Sequence, residues 1–122
     1  MLISGSRGAV DVDDLRRHTV YVGGYTSLDP TVRSFWSVVA ALEPADKAAL
    51  LKFVTSCERA PPLGFGQLEP RFTIQRAAAR DDALPTSSTC FHTLKLPAYS
   101  RESVLREKLL MAIRSGAGFE LT

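Results

Sequence analysis

The sequence contains few cysteines and no long apolar run. Only two cysteines, Cys57 and Cys90, occur in 122 residues, so neither a disulfide framework nor a four-cysteine zinc site can form within the chain. No stretch stays apolar for the length that a membrane span requires, and the N-terminal residues carry no sustained apolar run. We therefore expect an intracellular protein in a reducing compartment, with no part inserted in a membrane.

A strong charge of either sign is also missing. Fifteen Lys and Arg residues against thirteen Asp and Glu residues leave a net charge of +2, and these charges are scattered rather than grouped in blocks. No basic stripe interleaved with aromatic residues marks a nucleic-acid surface, so we expect no nucleic-acid partner. With 45% hydrophobic residues, the chain can close one core but is too short for two domains of ordinary size, which predicts a single domain.

The first half of the chain has the apolar spacing of helices. Residues 11–18 suit a short helix that starts behind acidic residues, whereas the glycines of residues 21–25 indicate a turn. Asp29 and Pro30 read as an N-cap followed by proline at the first helical position, and Pro44 begins another helix. The predicted core faces of these two helices are Val32, Phe35, Trp36, Val39 and Leu42 in the first and Leu50, Phe53, Val54 and Cys57 in the second.

The second half changes to loops and short alternating segments. Prolines and glycines in residues 60–66 break any helix, and residues 76–83 have no period, which predicts an exposed excursion. Residues 72–75 and 93–96 alternate apolar with polar side chains, as half-buried strands do. Ser100 can cap a last helix, which Gly116 and Gly118 would end. Its predicted core face is Leu105, Leu109, Ala112 and Ile113.

Helices and strands therefore occur in separate blocks without a βαβ rhythm. This order favours an α+β domain with a helical first half, a short β-sheet, a C-terminal helix and a short extended tail at residues 119–122.

The two cysteines differ in their surroundings. Cys57 falls on the apolar stripe of a predicted helix, where a thiol behaves as a small hydrophobe and is usually inert. Cys90 follows a proline and four small hydroxyl residues that cannot make a core by themselves. We therefore expect the thiol of Cys90 to lie at the end of a loop, although by position alone a single exposed cysteine is more often incidental than catalytic.

Residues 84–99 read Leu-Pro-Thr-Ser-Ser-Thr-Cys-Phe-His-Thr-Leu-Lys-Leu-Pro-Ala-Tyr. This segment closely resembles the active-site segment of HECT ubiquitin ligases, whose pattern is Leu-Pro, a few small residues, Thr-Cys-Phe-Asn, and then Leu-x-Leu-Pro-x-Tyr. Further blocks resemble the family in the same order along the chain: Phe35 with Trp36, then residues 50–55, 62–65, 105–110, 112–113 and 118–121. The resemblance covers nearly the whole chain.

The resemblance implies an acyl transfer in two steps. Cys90 would take ubiquitin from the thioester of a ubiquitin-conjugating enzyme and pass it to a lysine of a substrate protein, with no metal and no organic cofactor. Exchange between two thioesters is nearly balanced in energy, and an ordinary thiol with a pKa of about 8.5 already supplies a few per cent of thiolate at neutral pH. The absence of a His and Asp pair at the spacing of a thiol protease therefore does not count against catalysis.

The resemblance also implies how the chain is used. Residues 1–122 would form the C-terminal, cysteine-bearing lobe of a HECT domain, and residues 2–7 would be the hinge to an N-terminal lobe that docks the conjugating enzyme. On that basis we expect this chain alone to ubiquitinate poorly.

Six further residues take roles from the resemblance. Phe119 matches a phenylalanine needed for transfer, and Glu120 is either an acceptor for the proton of the attacking lysine or a solvated tail residue. Thr89 either holds the thioester carbonyl or bonds the loop backbone. Leu84 and Ser87 match positions that pack donor ubiquitin, although Leu84 could equally anchor the loop in the core.

The sixth residue, His92, stands where the family usually has Asn. If residues 90–92 are extended, Cys90 and His92 point to the same side, and a charged imidazole there would favour the thiolate, which makes His92 a candidate catalytic residue. The alternative is that His92 replaces the hydrogen bonds of an amide, since neutral histidine offers one donor and one acceptor.

Two other functions stay open. A non-catalytic ubiquitin-binding lobe would keep the fold and leave Cys90 unused, with His92 marking the lost activity. A thiol hydrolase would need a second catalytic group, and ester hydrolysis that depends on both Cys90 and His92 would identify it.

Overall fold

Four helices and four short strands make up the part of the chain that this computed structural model describes, which is residues 10–57, 61 and 63–115. The helices are α1 Val12–Arg17, α2 Pro30–Ala40, α3 Pro44–Thr55 and α4 Glu102–Ser115. The strands are β1 Val20–Val22, β2 Thr73–Ala77, β3 Thr86–Ser88 and β4 Thr93–Pro97, and 3-10 turns occur at Phe65–Gln67 and Thr89–Phe91. The predicted α+β class is confirmed.

The helix starts follow from their caps. The carboxylate of Asp29 accepts a 2.8 Å hydrogen bond from the backbone N–H of Thr31, and Pro30 occupies the first position of α2. Both features match the prediction for this helix. The predicted cap of the last helix is wrong, because the Ser100 hydroxyl donates to Asp81 instead, and the carbonyl of Arg101 accepts the first bond of α4.

The core lies between the helices and one face of the sheet. Every side chain predicted for the core face of the first long helix is buried, and so is every one predicted for the last helix. The sheet contributes Ile74, Leu94 and Leu96, none of which has any exposed surface. Burying one such side chain stabilises the fold by about 1.5 to 3 kcal/mol, so this layer of apolar contacts fixes the helices against the sheet.

The strands form one sheet in the order β1, β2, β4, β3. Strands β1 and β2 are parallel, as are β2 and β4, whereas β3 runs antiparallel to β4. The predicted turn at residues 21–25 is therefore partly wrong, since Val20–Val22 pair with Thr73–Gln75 before the glycines turn the chain. The predicted excursion also begins later than expected, because Arg76 and Ala77 still belong to β2.

Cys57 is not a core residue. Helix α3 ends at Thr55, and Ser56 adopts the left-handed conformation with φ of 68°. This turn takes Cys57 off the helical stripe, and its side chain is exposed. The prediction that Cys57 fills the core is wrong.

Candidate active site

Cys90 lies in the connection between β3 and β4. We call this connection, residues 89–92, the cysteine turn. Because the two strands are antiparallel and Ser88 faces Thr93 across the ladder, the strands and the turn together form a hairpin. Residues Thr89–Phe91 form a 3-10 turn, and the Cys90 side chain is exposed. The structure therefore presents the sulfur at the tip of a hairpin, as the sequence predicts for a thiol at the end of a loop.

The outgoing end of the cysteine turn is anchored by His92. Its backbone N–H donates to the carbonyl of Thr89 at 3.3 Å, and its own carbonyl accepts from the N–H of Thr73 at 2.9 Å. Its ring nitrogen Nδ1 lies 2.6 Å from the carbonyl oxygen of Pro70. The hydroxyl of Thr93 adds a 3.1 Å bond to the carbonyl of Phe91. The bonds to Thr73 and Pro70 join the turn to the start of β2 and the chain before it, and the other two close the turn on itself.

The incoming end is anchored upstream of β3. The phenol of Tyr99 donates to the carbonyl of Ala83 at 2.5 Å, and burial raises the pKa of Tyr99, which keeps the phenol protonated as a donor. The carboxylate of Asp81 accepts from both the N–H and the hydroxyl of Ser100, at 2.9 Å and 2.5 Å. Hydrogen bonding from Ser100 lowers the pKa of Asp81, so the carboxylate stays ionised. Helix α3 packs on the same hairpin.

The predicted contacts to ubiquitin lie on the incoming end. Leu84 is half-buried, and Ser87 has no exposed surface. Ser87 faces Leu94 in the ladder, and within the described residues its hydroxyl oxygen has no hydrogen-bond partner. In this conformation a partner cannot touch the Ser87 side chain, so the contact predicted for it would require β3 to open.

The remaining predicted residues divide in two groups. Thr89 is half-buried in the cysteine turn, directly before Cys90. Phe119 and Glu120 lie outside the described residues, as does the predicted hinge at residues 2–7. The structure thus brings Thr89, Cys90 and His92 together in one turn.

The conformation of His92 is not the extended one that a catalytic role for its ring was predicted to require. Residues 90–92 are not extended, because the 3-10 turn curls the chain and His92 ends it at φ of 49° and ψ of 43°. The alternation that would place Cys90 and His92 on the same side therefore does not apply. The contact with Pro70 is of the kind that an amide side chain also makes.

Sequence reasoning assigned no role to several residues that build the site. Pro70 and Thr73 act through backbone groups, which leave no signal in the sequence. Tyr99 belongs to the family pattern quoted above, and that position was the available signal for its anchoring role. Phe91 is 64% exposed beside Cys90, which is unusual for a phenylalanine.

Within residues 10–57, 61 and 63–115, no three His, Cys, Asp or Glu side chains are grouped so as to hold a metal ion. None of the helices in that part of the chain combines the length and apolar character needed to cross a bilayer.

These features define a class of α+β domain that presents a thiol on a hairpin anchored at both ends. The model of the HECT-domain (ubiquitin-transferase) family matches residues 1–122. The chain belongs to the HECT-domain family.

Similar proteins carry names from the same family. The chain is 50% identical over 119 residues to a probable E3 ubiquitin protein ligase of Schizosaccharomyces pombe, covering 98% of this chain and 12% of that protein. It is 49% identical over 122 residues to the E3 ubiquitin-protein ligase HUL5 of Saccharomyces cerevisiae, covering 100% of this chain and 13% of that protein. It is 42% identical over 146 residues to the ubiquitin-protein ligase E3B of Homo sapiens, covering 99% of this chain and 14% of that protein. The chain thus spans about an eighth of the length of these relatives.

Proposed function

We propose that this chain is the cysteine-bearing C-terminal lobe of an intracellular HECT-type ubiquitin ligase and that Cys90 carries ubiquitin as a thioester. The observation that supports this most directly is the exposed thiol of Cys90 at the tip of an anchored hairpin. Ubiquitin can deliver its carboxyl terminus only to a sulfur that an extended peptide tail can reach from the surface. The family membership supports the same reaction.

The first step exchanges one thioester for another. The Cys90 thiolate attacks the carbonyl carbon of the thioester between the conjugating enzyme and ubiquitin. A carbon–sulfur bond forms to Cys90, the bond to the conjugating enzyme breaks, and that enzyme leaves as a thiolate. Because the bond formed and the bond broken are of one kind, the exchange is nearly balanced in energy, and correct positioning of the sulfur matters more than a strong base.

The second step forms an amide. The neutral amine of a substrate lysine attacks the same carbonyl carbon, the bond to Cys90 breaks, and Cys90 leaves as a thiolate. The proton that the nitrogen loses as the amide forms passes to this thiolate or to solvent. The amine must lose a proton, because a lysine with a pKa of about 10.4 is mostly protonated at neutral pH. Glu120 is the proposed acceptor of that proton, with Phe119 as the tail residue needed for transfer.

Three residues near Cys90 complete the proposal. Thr89, directly before the sulfur in the turn, has a hydroxyl that can donate to the thioester carbonyl. Leu84 keeps part of its side chain exposed and is the proposed contact to donor ubiquitin. Ser87, being buried, would join that contact only after the hairpin rearranges.

A ubiquitin that carries an electrophile at its carboxyl terminus tests this proposal. Both cysteines are exposed, so iodoacetamide should alkylate Cys90 and Cys57 alike, whereas the ubiquitin probe should label Cys90 alone. The matched variants are Cys90→Ser, which should lose labelling, and Cys57→Ser, which should keep it. Labelling of neither cysteine would favour the non-catalytic ubiquitin-binding lobe, and equal labelling of both would refute recognition at Cys90.

Transfer requires a second experiment. The chain alone, mixed with ubiquitin-loaded conjugating enzyme, should transfer ubiquitin much more slowly than the same chain joined to the N-terminal lobe of a relative. Equal rates would contradict the assignment of this chain as one lobe of two. Hydrolysis of a ubiquitin ester that needs both Cys90 and His92 would instead indicate a hydrolase.

A further inference from the structure

We propose that His92 is the positioning residue of the cysteine turn, and that it acts through the hydrogen atom on Nδ1 and its left-handed backbone rather than through the basicity of its ring. The inference deepens the proposed function, since it concerns how the sulfur of Cys90 is aimed.

His92 controls the turn at three separate points. Its N–H closes the turn onto Thr89, so Cys90 lies inside the ring that this bond completes. Its carbonyl accepts from Thr73 at the start of β2. Its side chain reaches the chain before that strand, at Pro70. A single residue thus joins the tip of the hairpin to the neighbouring parallel strand.

The contact with Pro70 fixes the tautomer of the imidazole. A carbonyl oxygen only accepts, so at a separation of 2.6 Å the hydrogen must reside on Nδ1 of His92. Neutral histidine then keeps an unprotonated Nε2, and the ring serves the turn as a donor. Protonation of Nε2 would leave the bond from Nδ1 intact, so the hydrogen bond to Pro70 does not depend on the charge of the ring.

The backbone conformation of His92 further limits which residues can occupy position 92. At φ of 49° the residue is in the left-handed region, which most side chains avoid and which asparagine, aspartate and histidine enter more readily. Of these, asparagine and histidine carry a neutral side-chain donor. Both requirements together explain how histidine can stand where the family pattern has asparagine.

Variants of His92 can separate the side-chain hydrogen-bond donor from the basicity of the ring. Those that keep the donor and those that lose it should behave differently. In a Cys57→Ser background, His92→Asn keeps the donor and tolerates the left-handed backbone, so labelling of Cys90 by the ubiquitin probe should stay within about twofold of the parent rate. His92→Gly keeps only the backbone freedom and His92→Ala keeps neither, and both should be slowed by about tenfold, since small misplacements of a reacting atom cost rate steeply. Iodoacetamide, which needs no alignment, should alkylate all four proteins at similar rates.

The pH profile of probe labelling tests whether the basicity of the His92 ring contributes to the reaction. His92→Asn should reproduce the parent profile. A shifted profile, or a rate as low as that of His92→Ala, would show that imidazole chemistry is needed and would overturn the proposal. Parent-like labelling of His92→Ala would overturn it as well.

Nuclear magnetic resonance of the unsubstituted chain keeps the test valid if a variant fails to fold. The ring of His92 should be locked in the Nδ1–H tautomer, whereas free histidine favours Nε2–H. An Nε2–H tautomer at His92 would mean that Nδ1 does not donate to Pro70, and it would refute the proposal directly. This measurement also separates the two proposals, because absence of labelling by the ubiquitin probe would refute the function and leave the tautomer result standing.

Discussion

The phenol of Tyr99 donates a hydrogen bond to the carbonyl of Ala83, and this bond joins the residues that follow β4 to the chain that enters β3. The hairpin that carries Cys90 is therefore closed at its base as well as at its tip. Asp81 and Ser100 make a second closure beside it. Rigidity at the base matters because a turn that pivots freely could not hold a sulfur in one place.

Removing the hydroxyl of Tyr99 should loosen the base of the hairpin. We expect Tyr99→Phe to lower the free energy of unfolding by about 1 kcal/mol, the usual net contribution of one hydrogen bond, as measured by urea denaturation. Tyr25→Phe is the control, because it removes the 2.8 Å bond from Tyr25 to Leu96, and with it the hydrogen bond between Tyr25 and Thr31, without touching the loop before β3. Both should lose stability, but only Tyr99→Phe should speed amide exchange in Thr86–Ser88. Equal exchange in both variants would contradict the role assigned to Tyr99.

A pair of charges between α3 and α4 predicts a pH dependence. Arg114 donates to both oxygens of Asp46, at 3.1 Å and 2.8 Å. This hydrogen bonding holds the pKa of Asp46 below its ordinary value of 3.8. A carboxyl whose pKa is lowered by folding stabilises the folded state above the unfolded pKa, and the contribution is lost as the pH falls through the folded pKa.

Asp46→Asn should therefore be less stable than the parent at neutral pH, and the difference should shrink as the pH falls below about 3.8, the unfolded value. Urea midpoints of both proteins across the acidic range provide the measurement. The double variant Asp46→Asn with Arg114→Gln should be little worse than either single variant, since one interaction is removed in each case. A difference between parent and Asp46→Asn that stays constant with pH would refute the linkage.

Two glycines beside α1 predict unequal effects of the same substitution. Gly64 has φ of 99°, and an added Cβ would lie 3.0 Å from the Asp14 carboxylate, which accepts the N–H of Phe65 at 2.7 Å. We expect Gly64→Ala to cost about 1 to 3 kcal/mol of unfolding free energy, the range for a strained backbone conformation.

Gly66→Ala is the control for Gly64→Ala. Its added Cβ would lie 3.0 Å from Nε2 of His18, whose Nδ1 contacts the Asp14 carbonyl, but Gly66 belongs to a 3-10 turn and is outside the left-handed region. The loss should accordingly be smaller. Thermal or urea unfolding of the two variants compares them, and an equal loss in both would show that the left-handed backbone of Gly64 carries no special cost.

The sequence predicts those parts of the fold that depend on local patterns. Helix α2 was predicted from its cap and its stripe, because both are properties of neighbouring residues on one helix. Strands β1 and β3 were not predicted, since each has three residues and is defined by pairing with a distant segment. A three-residue run has too little alternation to signal a strand.

The same distinction applies to the site. The exposed position of Cys90 was predicted from its small, polar approach, and the structure places this residue in the open. Cys57 was misjudged because the helical spacing was carried past the residue where the helix ends, and Ser56 gives no strong signal for a left-handed turn. The left-handed conformation of His92 was equally hidden, although the asparagine in the family pattern pointed to such a conformation.

The anchors at Asp81 and Ala83 separate the exposed residues 78–80 from the hairpin. Residues inserted ahead of these anchors would lengthen a surface excursion while the sulfur keeps its place. The alignment with human E3B extends over 146 residues against 122 in this chain, so members of the family do differ in length. A longer excursion would add new surface without moving the sulfur of Cys90.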